Sequence, residues 1–115
     1  MFTRSDNYSA LNGSSLKLRA QFSPYWLTHH FGTPDASDGY KVSMEWLFED
    51  EDGNVVSLYD WKGTSLYDPY LPSPELVRSQ STPLEFHIGS HSYDVAQKFL
   101  EWLNLGGRDL GVSGE

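Results

Sequence analysis

Two alternating runs flank Asp52-Gly53, and they constrain the fold of this chain more than any other feature. In "KVSMEWLFE" the apolar residues Val42, Met44, Trp46 and Phe48 alternate with Lys41, Ser43, Glu45 and Glu49. A period of two is that of a strand with one buried face. Asp52-Gly53 is a hairpin signal, and Val55 to Trp61 reads as the return strand.

The register decides which residues share a face. A two-residue turn at Asp52-Gly53 sets Glu45 opposite Asp60, and like charges opposed across strands are unfavourable. A three-residue loop, Glu51-Asp52-Gly53, puts Gly53 in the left-handed bulge position and brings Phe48 to Val56 and Trp46 to Leu58. The second register gives one aliphatic and aromatic core face and is the expected one. The opposite face then carries Glu45, Leu47, Tyr59 and Trp61. Either a second layer covers that face or it is a binding surface.

The rest of the chain is read around this hairpin. In "SSLKLRAQF" Leu16, Leu18, Ala20 and Phe22 alternate with Lys17, Arg19 and Gln21, which predicts a half-buried strand, with a helix as the alternative. Ser23-Pro24 opens a helix over about 24–31, because a serine caps free amides and proline suits the first helical position. Gly32 and Pro34 stop it, with Leu27 and Phe31 facing inward. Residues 63–83 hold four prolines and no sustained period, which predicts a long loop with one short turn of helix at Ser73-Pro74. The string SLYD occurs at 57–60 and again at 65–68; Pro69 after the second copy excludes a second core strand, so no repeated unit is implied. "LEFHI" is a short strand with Leu84, Phe86 and Ile88 inward, Glu85 and His87 outward, and Gly89 at its end. Ser92 caps a last helix whose Val95, Phe99, Trp102 and Leu103 form an apolar stripe, stopped at Gly106-Gly107.

The expected fold is α+β: a two-layer sandwich of order β-α-β-β-β-α, with a four-stranded, mostly antiparallel sheet and helices on one face. Residues 1–13 read as a loose N-terminal arm, 14–105 as a single domain and 106–115 as a C-terminal tail.

Composition removes several classes of function. A chain of 115 residues holds one core. Its net charge of −8 argues against a nucleic-acid partner, which calls for a basic stripe. There are no cysteines, hence no disulfide, thiolate metal site or cysteine nucleophile. No apolar run long enough to span a membrane occurs, and the N-terminus lacks the apolar stretch of a signal peptide, so a cytoplasmic protein is expected.

No catalytic or metal constellation is complete. "HIGSH" sets His87 on a strand and His91 beyond a turn, so the pair does not share a helical face as zinc-binding histidines four apart do. "EDEDGN" fails as a calcium loop, because Phe48 and Tyr59 would fall on ligand positions. A hydrolase using His87 with Glu45 or Asp60 would need those groups in one pocket. No cofactor or metal is expected.

Four motifs occur in order: "FGTP", "DGYKVSMEW", "DEDGNVVSLYDWK" and "FHIGSHS". In this the chain resembles a family of small phage and mobile-element proteins with FGxP, DGYKVxxEW, DGxVxxxYDWK and HIGxHS motifs, whose activities are not established. The matching positions are Phe31, Gly32, Pro34, Gly39, Tyr40, Trp46, Gly53, Tyr59, Asp60, Trp61, Lys62, His87, Ile88 and Gly89. The chain departs from the family pattern at Phe86 and Ser90, where tryptophan and glycine are usual. The resemblance implies a phage-type protein working in the cytoplasm of a host.

The function expected from these readings is a small, acidic, non-enzymatic interaction protein that binds and modulates a host component through an aromatic sheet face. The candidate binding residues are Glu45, Tyr59, Asp60, Trp61, Lys62, Tyr67, Tyr70, His87 and His91. The alternative is a protein that binds or sequesters a small, nucleotide-like molecule. The partner is expected to be a protein, with a homodimer left open.

Overall fold

The computed structural model describes residues 1–35, 41–61 and 64–107. Gly39, Tyr40 and Lys62, and the tail beyond Gly107, lie outside the described residues. The hairpin forms between β3 (Glu45–Glu49) and β4 (Val55–Asp60), with Trp46 opposite Leu58 and Phe48 opposite Val56. This is the three-residue-loop register. Gly53 has φ +82°, and its N–H donates to Asp50 O at 3.1 Å, closing the turn ahead of the bulge. Asp50 Oδ1 accepts from Asn54 N at 2.8 Å and Asp52 N at 3.0 Å, so the acidic tip satisfies its own loop amides.

Three further strands complete the sheet: β1 (Thr3–Arg4), β2 (Ser15–Phe22) and β5 (Leu84–Ser90). The order is β1-β3-β4-β5-β2, antiparallel throughout. Among the described residues there are thus five strands where four were expected; the fifth comes from the N-terminal segment. The helices are α1 (Pro24–Phe31), α2 (Pro74–Arg78) and α3 (Tyr93–Asn104). The hydroxyls of Ser23, Ser73 and Ser92 accept from Trp26 N, Leu76 N and Val95 N. Past α3, Gly106 and Gly107 turn left-handed and donate back to Leu103 O and Trp102 O.

The core lies between one sheet face and the helices. Trp46, Phe48, Val56, Leu58, Phe86 and Ile88 project from the sheet, and Leu27, Val77, Ala96, Phe99 and Leu103 meet them. The amphipathic spacing of α3 aims Phe99 and Trp102 at Phe48, with ring centroids 5.0 and 5.8 Å away. Val77 carries the helical turn of the long loop into this core, and Tyr25 N donates to Gln80 O at 3.0 Å, tying α2 to α1.

Two expectations are corrected. Residues 1–13 are not a loose arm. Phe2 is buried against Phe99 and Trp102, β1 pairs with β3, and a 3-10 turn over Tyr8–Leu11 lies against β4. Arg4 donates to Phe31 O at 2.6 Å and pairs with Asp35 at 3.2 Å, so the segment also caps the C-terminal end of α1. In β2, a bulge between Leu16 and Leu18 sets Leu16 opposite Gly89 and Leu18 opposite Ile88. One extra residue exchanges faces, so Leu16 leaves the core face that strict alternation assigns it.

Candidate functional site

The sheet face turned away from the helices has a covered half and an open half. Leu47 and Ser57 point to it yet are 0% and 3% exposed, and neither belongs to the helical core. Their cover is the N-terminal segment, which runs along β3 and β4. Ser5 N donates to Leu47 O, the Tyr8 hydroxyl donates to Asp35, and His91 Nε2–H donates to Ala10 O. Burial, and then the hydrogen bond to Asp35, push the Tyr8 hydroxyl well above the usual tyrosine range.

The open half is aromatic. The β4–β5 register sets Tyr59 opposite His87, and Trp61 follows two residues along on the same side. The Trp61 indole stacks on the His87 ring at 5.9 Å and 21°, and Tyr59 meets His87 edge-on at 5.5 Å and 74°. Such pairs stabilise by about 0.5–1.5 kcal/mol each beyond area burial. Tyr59 also packs over Gly89, where an added Cβ would meet Tyr59 Cε1 at 3.5 Å, an ordinary van der Waals contact. Trp61 remains 41% exposed, whereas Trp46, on the other side of the sheet, is 0% exposed and donates from Nε1 to Gly32 O at 2.9 Å.

Charges of both signs ring the cluster. Lys41 Nζ lies 5.6 Å from the Trp61 ring centroid, a cation–π contact. Arg19 is opposite His87 on the neighbouring strand, and Glu85 approaches the His87 ring at 4.0 Å. Glu45 is opposite Tyr59 and accepts from the Ser57 hydroxyl. Burial lowers the His87 pKa below its ordinary value, helped by Arg19 and opposed by Glu85 and Asp60. Burial, and then Glu45, raise that of Tyr59. At neutral pH the cluster therefore presents uncharged rings within a charged border.

The structure brings together Glu45, Tyr59, Trp61 and His87 from the candidate set. It removes Asp60. That side chain is 0% exposed and points to the helical side, where Oδ1 accepts from Ser43 N at 2.7 Å and Met44 N at 3.0 Å, and Oδ2 from the Ser43 hydroxyl at 2.6 Å. A carboxylate so engaged holds the chain entering β3; it is neither a contact residue nor a partner for His87 across the sheet. His91 engages the N-terminal segment, apart from the ring cluster. Tyr67 and Tyr70 lie in the 64–73 loop, 38% and 96% exposed, and the second SLYD copy is a turn there, with Tyr67 N and Asp68 N donating to Thr64 O. Lys62 lies outside the described residues. Sequence reasoning missed Arg19 and Lys41, whose places come from strand order and from a chain crossing no local pattern signals.

Among the described residues no three His, Asp or Glu side chains gather around a point that could hold a metal ion. No described helix is long and apolar enough to cross a membrane. Concavities of about 330 and 460 Å³ open elsewhere, one beside Tyr25 and Arg78 and one beside Phe22 and Trp26. The fold and this face define a small α+β domain that displays an aromatic patch from the strands of an antiparallel sheet. No family model and no curated protein matches the chain.

Proposed function

We propose that this is a small acidic interaction protein whose open sheet face, centred on Tyr59, Trp61 and His87, docks a protein partner. The observation that carries the reading is the half-exposed indole of Trp61, stacked on His87 and seated on a five-stranded sheet. A large ring held in one orientation loses little entropy on binding, and tryptophan and tyrosine are common interface anchors. The charged border of Arg19, Lys41, Glu45 and Glu85 suits register and partner choice. The resemblance to phage and mobile-element proteins supports a setting in which the partner is a host component that the protein modulates. No cofactor chemistry is invoked.

The test is affinity capture from host extract with the tagged chain, its Trp61→Ala variant and its Tyr70→Ala variant. The reading expects partners retained by the native chain and by Tyr70→Ala, and lost with Trp61→Ala while the circular-dichroism spectrum stays native. Undiminished capture by Trp61→Ala would remove the aromatic face from the interface.

A further inference from the structure

We infer that the outer edge of β2 receives an extended, acidic segment of a partner protein, which joins the sheet as a sixth strand. This surface lies beside the aromatic face and shares Arg19 with its charged border, but it needs neither Tyr59 nor Trp61.

β2 ends the sheet order, and it is eight residues long. The opposite edge is the two-residue β1. Alternate N–H and C=O groups of β2 point away from β5, and no other described strand pairs with them. Natural sheets blunt such edges with bulges, lysines or short strands, because an open ladder recruits another strand. Here the bulge and Lys17 sit at the beginning of the strand, and from Leu18 to Phe22 the pairing with β5 runs without interruption. Five residues of regular ladder are thus open to addition.

Charge selects the occupant. The chain has 8 Lys and Arg against 16 Asp and Glu, and two of those cations, Lys17 and Arg19, stand on this strand. The Arg19 side chain is exposed and makes no hydrogen bond or ion pair among the described residues, and that of Lys17 donates only to the hydroxyl of Ser15, two residues away. A second copy paired antiparallel about Arg19 sets that cation against its own counterpart, and one paired about Ala20 offers it only Gln21, so neither register supplies a carboxylate. An incoming strand with acidic residues on that face forms cross-strand pairs instead. The repulsion of the net charge of −8 is screened over about 8 Å at physiological ionic strength, so these local pairs decide.

The helical side supplies a second determinant. A shallow, open depression of about 460 Å³ lies at the end of β2, with Phe22, Trp26, Pro83 and Leu103 in its lining beside Gln21, Ser23 and Asn104. A strand added about 4.8 Å from β2 carries alternate side chains to this side, where a large apolar residue can lie against Phe22 and Trp26. The fitting segment therefore alternates acidic residues with apolar ones.

The test is an NMR titration of the full chain with a blocked six-residue peptide alternating glutamate with valine and carrying one central phenylalanine. The same peptide with lysine for glutamate is the comparison. The expected result is shift changes and slowed amide exchange confined to residues 18–22 with the glutamate peptide, and roughly tenfold weaker binding of the lysine peptide. Arg19→Glu, with native circular dichroism, should reverse that preference. Equal binding of both peptides, shifts confined to Tyr59 and Trp61, or edge amides of β2 already protected in the free chain would each overturn the proposal. In the last case, concentration dependence separates a second copy from a segment of the same chain.

Discussion

Asp60 holds the entry to β3 with one carboxylate that accepts three hydrogen bonds from Ser43 and Met44. Asp60→Ala leaves two buried amides and a hydroxyl without an acceptor, and the expected loss is about 3 kcal/mol in urea unfolding. Asp60→Asn keeps an acceptor for both amides and can donate to the Ser43 hydroxyl, so it should cost far less. Equal losses would mean that charge, and not hydrogen bonding, is what the site needs. His87 sets a pH dependence. Its folded pKa lies below the ordinary 6.5, so the unfolded chain binds the proton more tightly. Its contribution is complete above pH 6.5 and is lost as pH falls from there through the lowered folded value. The stability difference between the native chain and His87→Gln should therefore shrink on acidification, and urea midpoints between pH 7.5 and 5 test this. A difference that grew on acidification would contradict the assignment.

At the scale of elements, the N-terminal segment does most to shape the outer face. Phe2 anchors it in the core, Arg4 fastens it to the end of α1, and Tyr8 fastens it to Asp35. Phe2→Ala should cost about 3 kcal/mol through the cavity left against Phe99 and Trp102. It should also raise amide exchange at Leu47 and Ser57, which the segment covers; unchanged exchange there would place the cover elsewhere. This element was not legible in the sequence. Its anchors are single residues whose partners are distant in the chain, Phe2 with Phe99 and Arg4 with Phe31, and they leave no period. The hairpin was legible because alternation, the Asp52-Gly53 turn and the cost of opposing Glu45 and Asp60 all select one register. α1 was legible from Ser23-Pro24 and Gly32. The bulge at Leu16 was hidden, because an inserted residue leaves the alternation of residue types intact while reversing their faces.

On the scale of the whole molecule, one sheet divides the aromatic residues into two populations. Trp46, Phe48 and Phe86 build the core, and Tyr59 and Trp61 stand on the other side with His87. The candidate site was legible to that extent, since register alone separates Trp46 from Trp61. Asp60 was misassigned because the carboxylate and its buried partners meet across 16 and 17 residues of chain. The account stands on the outer face being the docking surface. A photo-crosslinking residue placed at Trp61, and in a parallel chain at Tyr25 on the helical side, tests this most directly in cells that produce the chain. The prediction is a partner adduct from position 61 and none from position 25. Adducts from position 25 alone would contradict it.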